Sequence, residues 1–227
     1  MKRYRTASGS DRMPAPTVKS AASFFPTHSR LSVGSGRYRS RFLNMLIDSF
    51  APDPDAVETH RIAINASPDV VYRALWTTDL GRSLVIKFLL ALRSLPQFTL
   101  HPCQPLPQDR KIRLQTLIDA GFGVLAEQPG KEIVLGVTGR FWRPMGNLSP
   151  FNRADFDAPV AQGLARAVWN FHVAVDNDQA VLSTETRVTC GDSRSRQKFR
   201  AYWFFVRPFS GLIRRLMLKN VRKAAVD

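Results

Sequence analysis

The run Asp192-Ser193-Arg194-Ser195-Arg196-Gln197-Lys198-Phe199-Arg200-Ala201-Tyr202-Trp203-Phe204-Phe205-Val206-Arg207-Pro208-Phe209-Ser210-Gly211-Leu212-Ile213-Arg214-Arg215-Leu216-Met217-Leu218-Lys219-Asn220-Val221-Arg222-Lys223-Ala224-Ala225 reads as one long C-terminal helix. Phe199, Tyr202, Trp203, Val206, Phe209, Ile213, Leu216 and Met217 recur every three or four residues, which places them on one helical face. Basic residues fill most of the remainder. Asp192 and Ser193 suit an N-cap. Pro208 lacks an N–H and is expected to kink the helix or split it in two. An aromatic stripe this wide needs a large apolar partner.

That partner lies upstream. Val57–Ile64 alternates as a first strand, and Ser67-Pro68-Asp69 starts a helix that ends near Thr78. Val70, Val71, Ala74 and Leu75 form its inner face. A second helix is predicted from Leu80 to Leu95, followed by a proline-rich loop over 96–111. Leu114 to Ala120 is a helical turn stopped by Gly121. Phe122–Gln128 and Glu132–Trp142 pair across a Pro129-Gly130 turn. Gly136 and Gly139 mark a bulge, strong curvature or a close backbone approach. Residues 143–159 form a long loop of the kind that often serves as a lid, with a short helix near Phe151 to Phe156. Arg166–Val175 and Gln179–Cys190 pair across Asp176-Asn177-Asp178. The result is an α+β domain in which a curved antiparallel sheet grips the long C-terminal helix.

The charge is unevenly spread. The 227 residues carry a net charge of +15. Residues 1–50 hold nine Lys/Arg and two Asp, residues 192–227 hold ten and two, and the middle holds fourteen of each sign. Basic ends suggest an anionic partner such as a membrane surface, or simply a solvated helix face and a solubilising tail. Residues 1–44 read as a disordered basic tail ahead of a 45–227 domain. The tail resembles a transit peptide in its Arg and Ser content but lacks an amphipathic apolar face. Arg41 to Phe50 suits a short amphipathic helix docked on the domain. Two cysteines, Cys103 and Cys190, fit no metal spacing or disulfide framework, so a reducing, cytoplasmic setting is expected. The apolar run Leu84–Leu92 is interrupted by Lys87 and too short to span a bilayer.

At the level of whole elements the chain resembles the helix-grip superfamily, also called START-like or SRPBCC, which includes polyketide cyclases and the birch-pollen-allergen type. The residues that carry this are the first strand leading into Ala66-Ser67-Pro68-Asp69-Val70-Val71-Tyr72-Arg73-Ala74-Leu75, and the last strand with the terminal helix. More closely, it is similar to an uncharacterised bacterial family of this fold. The segments concerned are Ala120-Gly121-Phe122, Glu132-Ile133-Val134-Leu135-Gly136, Gly139-Arg140-Phe141-Trp142, Ala167-Val168-Trp169-Asn170-Phe171, Thr184-Glu185-Thr186-Arg187-Val188, Tyr202-Trp203 and Pro208-Phe209-Ser210-Gly211-Leu212-Ile213-Arg214. The likeness covers about residues 45–225. It implies a hydrophobic cavity between sheet and helix, but the fold hosts carriers, cyclases, co-chaperones and toxins alike.

From the residues, such a cavity would be walled by Leu135, Val137, Phe141, Trp169, Phe171, Tyr202, Trp203 and Val206. Aromatic stripes at helical spacing also fill cores. Glu185 and Arg187 share one face of the last strand. Turned inward they would orient a ligand or move a proton; turned outward they would form a surface pair. Leu182, Thr184, Thr186 and Val188 are the more obvious inner set, so the surface reading is favoured. Arg140 is expected to point outward. His28, His60, His101 and His172 show no metal spacing, and no catalytic motif, phosphate loop or cofactor fingerprint occurs. The expected function is therefore binding of a small hydrophobic or lipid-like molecule. A cyclase- or hydratase-type enzyme would need two ionisable groups in the cavity. A third reading places Arg214, Arg215, Lys219, Arg222 and Lys223, with Leu212, Leu216 and Met217, on an anionic membrane. No nucleic-acid module is visible, which argues against that partner.

Overall fold

A computed structural model describes residues 45–80, 111–119, 121–143, 147–176 and 178–227. The tail to residue 44, nearly all of the expected second helix and the proline-rich loop lie outside them. The described chain is α+β. Strands β1 (Ala56–Ile64), β2 (Gly123–Gln128), β3 (Glu132–Arg140), β5 (Ala165–Asp176) and β6 (Gln179–Cys190) form an antiparallel sheet in the order β1-β6-β5-β3-β2, which is not closed. The two-residue β4 (Asn147–Leu148) pairs with β3. Helix α1 (Pro68–Thr77) follows β1, α2 (Leu114–Asp119) precedes β2, and α3 (Ser193–Val226) closes the chain and packs on the sheet.

The turns follow local chemistry. Gly121, Gly130 and Asp178 take positive φ at the stops and hairpins where the sequence places them. Asp192 caps α3, its carboxylate accepting from the Ser195 backbone N–H at 2.8 Å and the Gly163 N–H at 2.6 Å. Helix α3 is one helix, not two. Pro208 sits on its exposed side, where the Phe204 carbonyl that loses its N–H partner can take water instead. In α1 the fully buried set is Val71, Tyr72, Ala74 and Leu75, with Val70 only half-buried.

The sheet is covered on both faces. The inner face, Ile64, Ile133, Leu135, Trp169, Phe171, Val173 and Leu182, packs against α1, α2 and the second half of α3 through Met217, Leu218 and Val221. The outer face, Leu125, Val134 and Val168, packs against Met45, Ile47, Ala51 and Phe156. The covering segment holds a short 3-10 helix, Leu46–Ser49, within the expected helix over 41–50, whose first four residues lie outside the described ones. The loop after β3 also lies on this face. A Cβ on Gly123 would come within 2.1 Å of Phe151, and one on Gly136 within 2.5 Å of Phe156, so these glycines make room for two aromatic rings. Buried Arg166 holds the 3-10 turn Arg153–Phe156 and the residues after it by donating to the carbonyls of Asp155, Phe156 and Ala158. The expected lid is thus a cover for the outer face.

Candidate functional site

Strand β1 turns Glu58 and His60 to the same face as Ile62 and Ile64, because side chains alternate. It is an edge strand, and α3 crosses it. Gly211 lies against the strand there: an added Cβ would lie 2.8 Å from Glu58 Oε1 and 3.5 Å from the His60 ring. Beside this crossing, helix and strand part to leave a cleft of about 740 Å3, open to solvent on one side. Its apolar wall includes Phe199, Trp203, Phe204, Pro208 and Leu212; Glu58 and His60 come from β1; Arg200, Arg207 and Arg215 come from α3. The Phe199 and Trp203 rings stack with centroids 5.7 Å apart.

The polar side of the cleft is an organised cluster. His60 Nε2 lies 2.9 Å from Glu58 Oε1, and the Ser210 hydroxyl donates to Glu58 Oε2 at 3.3 Å. Arg214 Nε is 3.8 Å from the same carboxylate, while another guanidinium N–H donates to Thr186 Oγ1. The Arg214 guanidinium also lies over the Trp169 ring, 4.9 Å from its centroid. Burial pushes the Glu58 pKa up, but the His60 hydrogen bond and the Arg214 charge outweigh it and hold the carboxyl below its ordinary range. Burial lowers Arg214, with Glu58 opposing.

The charges along the cleft are unevenly matched. Glu58 has His60 and Arg214; Asp55 is paired with Arg196 and accepts from the Cys190 N–H at 2.8 Å. Among the described residues, no hydrogen bond or ion pair involves the side chains of Arg200, Arg207 or Arg215. A cleft whose carboxylates are neutralised and whose arginines are not favours an anion.

The residues expected from sequence fall in three places. Leu135, Trp169 and Phe171 lie in the main packed core, and Val137 is buried too. Phe141 and Tyr202 pack around the Phe199 cluster, with Trp203, which alone of the expected set also lines the cleft. Val206 is half-buried. Glu185 and Arg187 face away from α3, so they are no part of an inner cavity; nor are they a surface pair. Arg187 is 0% exposed and donates to Glu185 Oε1 at 2.7 Å, Asp48 Oδ1 at 2.6 Å and the Ala51 carbonyl at 2.9 Å. The segment over 45–51 buries them. Arg140 donates to the Gly163 carbonyl at 3.2 Å.

Sequence reasoning gave Glu58, Ser210 and Gly211 no functional role and weighed His60 only for metal spacing. The signal was present: two ionisable residues two apart on a strand otherwise apolar on that face, opposite a glycine inside a helix. Among the described residues, no group of three or more His, Cys, Asp or Glu could hold a metal ion, and no helix is long and apolar enough to cross a membrane.

No family model matches the chain, and no curated protein does. Among solved structures it is similar to protein MLL2253 from Mesorhizobium loti, at 16% identity over 74% of this chain and 95% of that one, with a TM-score of 0.34. Protein CV1439 from Chromobacterium violaceum gives 14%, 74%, 95% and 0.30. Protein jhp0584 from Helicobacter pylori gives 10%, 84%, 99% and 0.37. At TM-scores below 0.5 these likenesses carry no argument.

Proposed function

We propose that this is a helix-grip domain that binds a small amphipathic anion, an apolar body with one acidic group, in the cleft between β1 and α3. One observation carries the reading: the carboxylates of the cleft are paired while Arg200, Arg207 and Arg215 are not, beside a wall of Phe199, Trp203, Phe204 and Leu212. The apolar body lies against the aromatic wall, and the acid meets the arginines at the mouth. The chain's own resemblance to SRPBCC proteins supports a binding role for the space beside the helix. Calorimetric titration with decanoate and with decanol tests this, since the two share a body and differ in charge. Decanoate is expected to bind more tightly, Trp203→Ala to weaken both, and Arg207→Gln with Arg215→Gln to remove the preference. Equal binding of the two by the native protein would overturn the anionic assignment.

A second reading, an enzyme of hydratase or cyclase type, is favoured by the Glu58–His60 pair in the cleft wall. A carboxylate bonded to an imidazole can pass a proton to or from a bound molecule. Incubation with a conjugated enoic acid tests it by mass spectrometry. The binding reading expects the acid to return unchanged; addition of water that is lost in His60→Gln would favour the enzyme.

A further inference from the structure

Helix α3 presents a second feature, on the side turned from the sheet. Phe204 is 75% exposed, Phe205 71%, Phe209 47% and Leu212 42%. Phe204 and Phe205 meet edge to face, 5.3 Å between centroids, so these rings form one patch with exposed Pro208 beside them. Cations flank it at both ends: Lys198 and Arg200 before, Arg215, Lys219, Arg222 and Lys223 after, all exposed. Residues 192–227 hold ten basic and two acidic residues, and the two acids are at the extreme ends, Asp192 and Asp227. An apolar centre with basic flanks on one side of a helix matches the layered chemistry of an anionic bilayer, acyl chains beneath acidic headgroups.

We infer that the middle of α3 docks on an anionic lipid bilayer through Phe204, Phe205, Phe209 and Leu212, with the flanking Lys and Arg at the headgroups. The choice of partner rests on charge complementarity. A second copy would bring two helices of the same sign together. A nucleic acid would match the cations but leave the aliphatic and phenyl surface without an apolar layer to enter. Of the residues expected from sequence, Leu212, Arg215, Lys219, Arg222 and Lys223 belong to this surface, whereas Arg214 and Met217 point into the protein and Leu216 is half-buried. Phe204, Leu212, Arg200 and Arg215 also line the cleft, whereas Phe205 and Phe209 do not, so substitutions at these two test docking without touching the cleft wall.

The test is flotation of the full chain with vesicles of phosphatidylcholine alone or with phosphatidylserine. Binding is expected only with the acidic lipid, weakened as salt rises from about 0.1 M to about 1 M. The double variant Phe205→Ser, Phe209→Ser is expected to lose affinity by about tenfold or more, with its melting temperature and decanoate binding unchanged. Equal binding to neutral vesicles, or none to acidic ones, overturns the proposal. So does a self-association or RNA binding that the double variant abolishes while vesicles stay unbound. A large fall in melting temperature of the double variant with no vesicle binding also overturns it, because the face is then covered by the chain itself.

Discussion

Replacing Arg187 by Met tests whether the Glu185–Arg187 pair is architecture or site. Arg187 donates to Glu185, Asp48 and the Ala51 carbonyl, and removing these bonds has unequal costs. Asp48 is partly exposed, so its share is screened and about 1 kcal/mol or less. The Ala51 carbonyl loses a donor, at about 1–3 kcal/mol. Glu185, 2% exposed, loses the guanidinium that neutralises it in the interior, while Thr59 Oγ1 still donates to it at 3.2 Å. Breaking one side of such a pair costs about 3–5 kcal/mol, and the three terms overlap rather than add. For a chain of this size that lowers the melting temperature by roughly 10 °C. Thermal and urea melts followed by circular dichroism read the loss. Adding Glu185→Leu removes the stranded charge and is expected to restore most of it. Decanoate binding to the folded variant should match the native protein. A loss below about 1 kcal/mol, or a folded variant with abolished decanoate binding, would refute the reasoning.

Other consequences are equally direct. Gly211→Leu places a side chain where Glu58 and His60 sit, so overpacking is expected to cost about 1–3 kcal/mol in urea unfolding and to weaken decanoate binding. The Glu58 pKa is depressed in the folded state, so its contribution to stability is present above about pH 4.3 and lost as pH falls through the folded value. Glu58→Gln should therefore flatten the acid limb of a stability–pH profile, and an unchanged limb would contradict the cluster. Phe199→Ala, at a buried ring stacked on Trp203, is expected to cost about 3–5 kcal/mol, measured by denaturant titration. Burial pushes the Cys190 thiol up to about 12, so in a Cys103→Ser protein it should resist a thiol reagent at neutral pH and react only on unfolding.

Much of the architecture was legible because it rests on local signals. The positive-φ glycines, the Asp192 cap, the strand alternation and the 3.6-residue period of α3 each specify a neighbourhood of a few residues. The one long helix is read correctly from sequence; of the two outcomes expected at Pro208, a kink or a split, the split does not occur, because proline removes one hydrogen bond and a 34-residue helix anchored by Phe199 on one side and Met217, Leu218 and Val221 on the other tolerates that loss on its wet face. The site was less legible because it depends on register. Alternation places Glu185 and Arg187 together but says nothing of the 45–51 segment that buries them. Placing Gly211 against Glu58 takes the angle at which α3 crosses β1, which no run of residues in either element encodes. The expected cavity followed the aromatic stripe to the sheet centre, where Trp169 and Phe171 instead fill the core and the cleft opens over the edge strand.

The central claim is where the anion sits, and the indole region of a nitrogen-15 correlation spectrum reads that directly. Decanoate is expected to shift the Trp203 indole together with the backbone amides of Glu58, His60 and Gly211, while the Trp169 indole stays in place through its 2.5 Å bond to Thr184 Oγ1. Shifts centred on Trp169, Leu135 and Phe171, with Trp203 and Gly211 unmoved, would contradict the account.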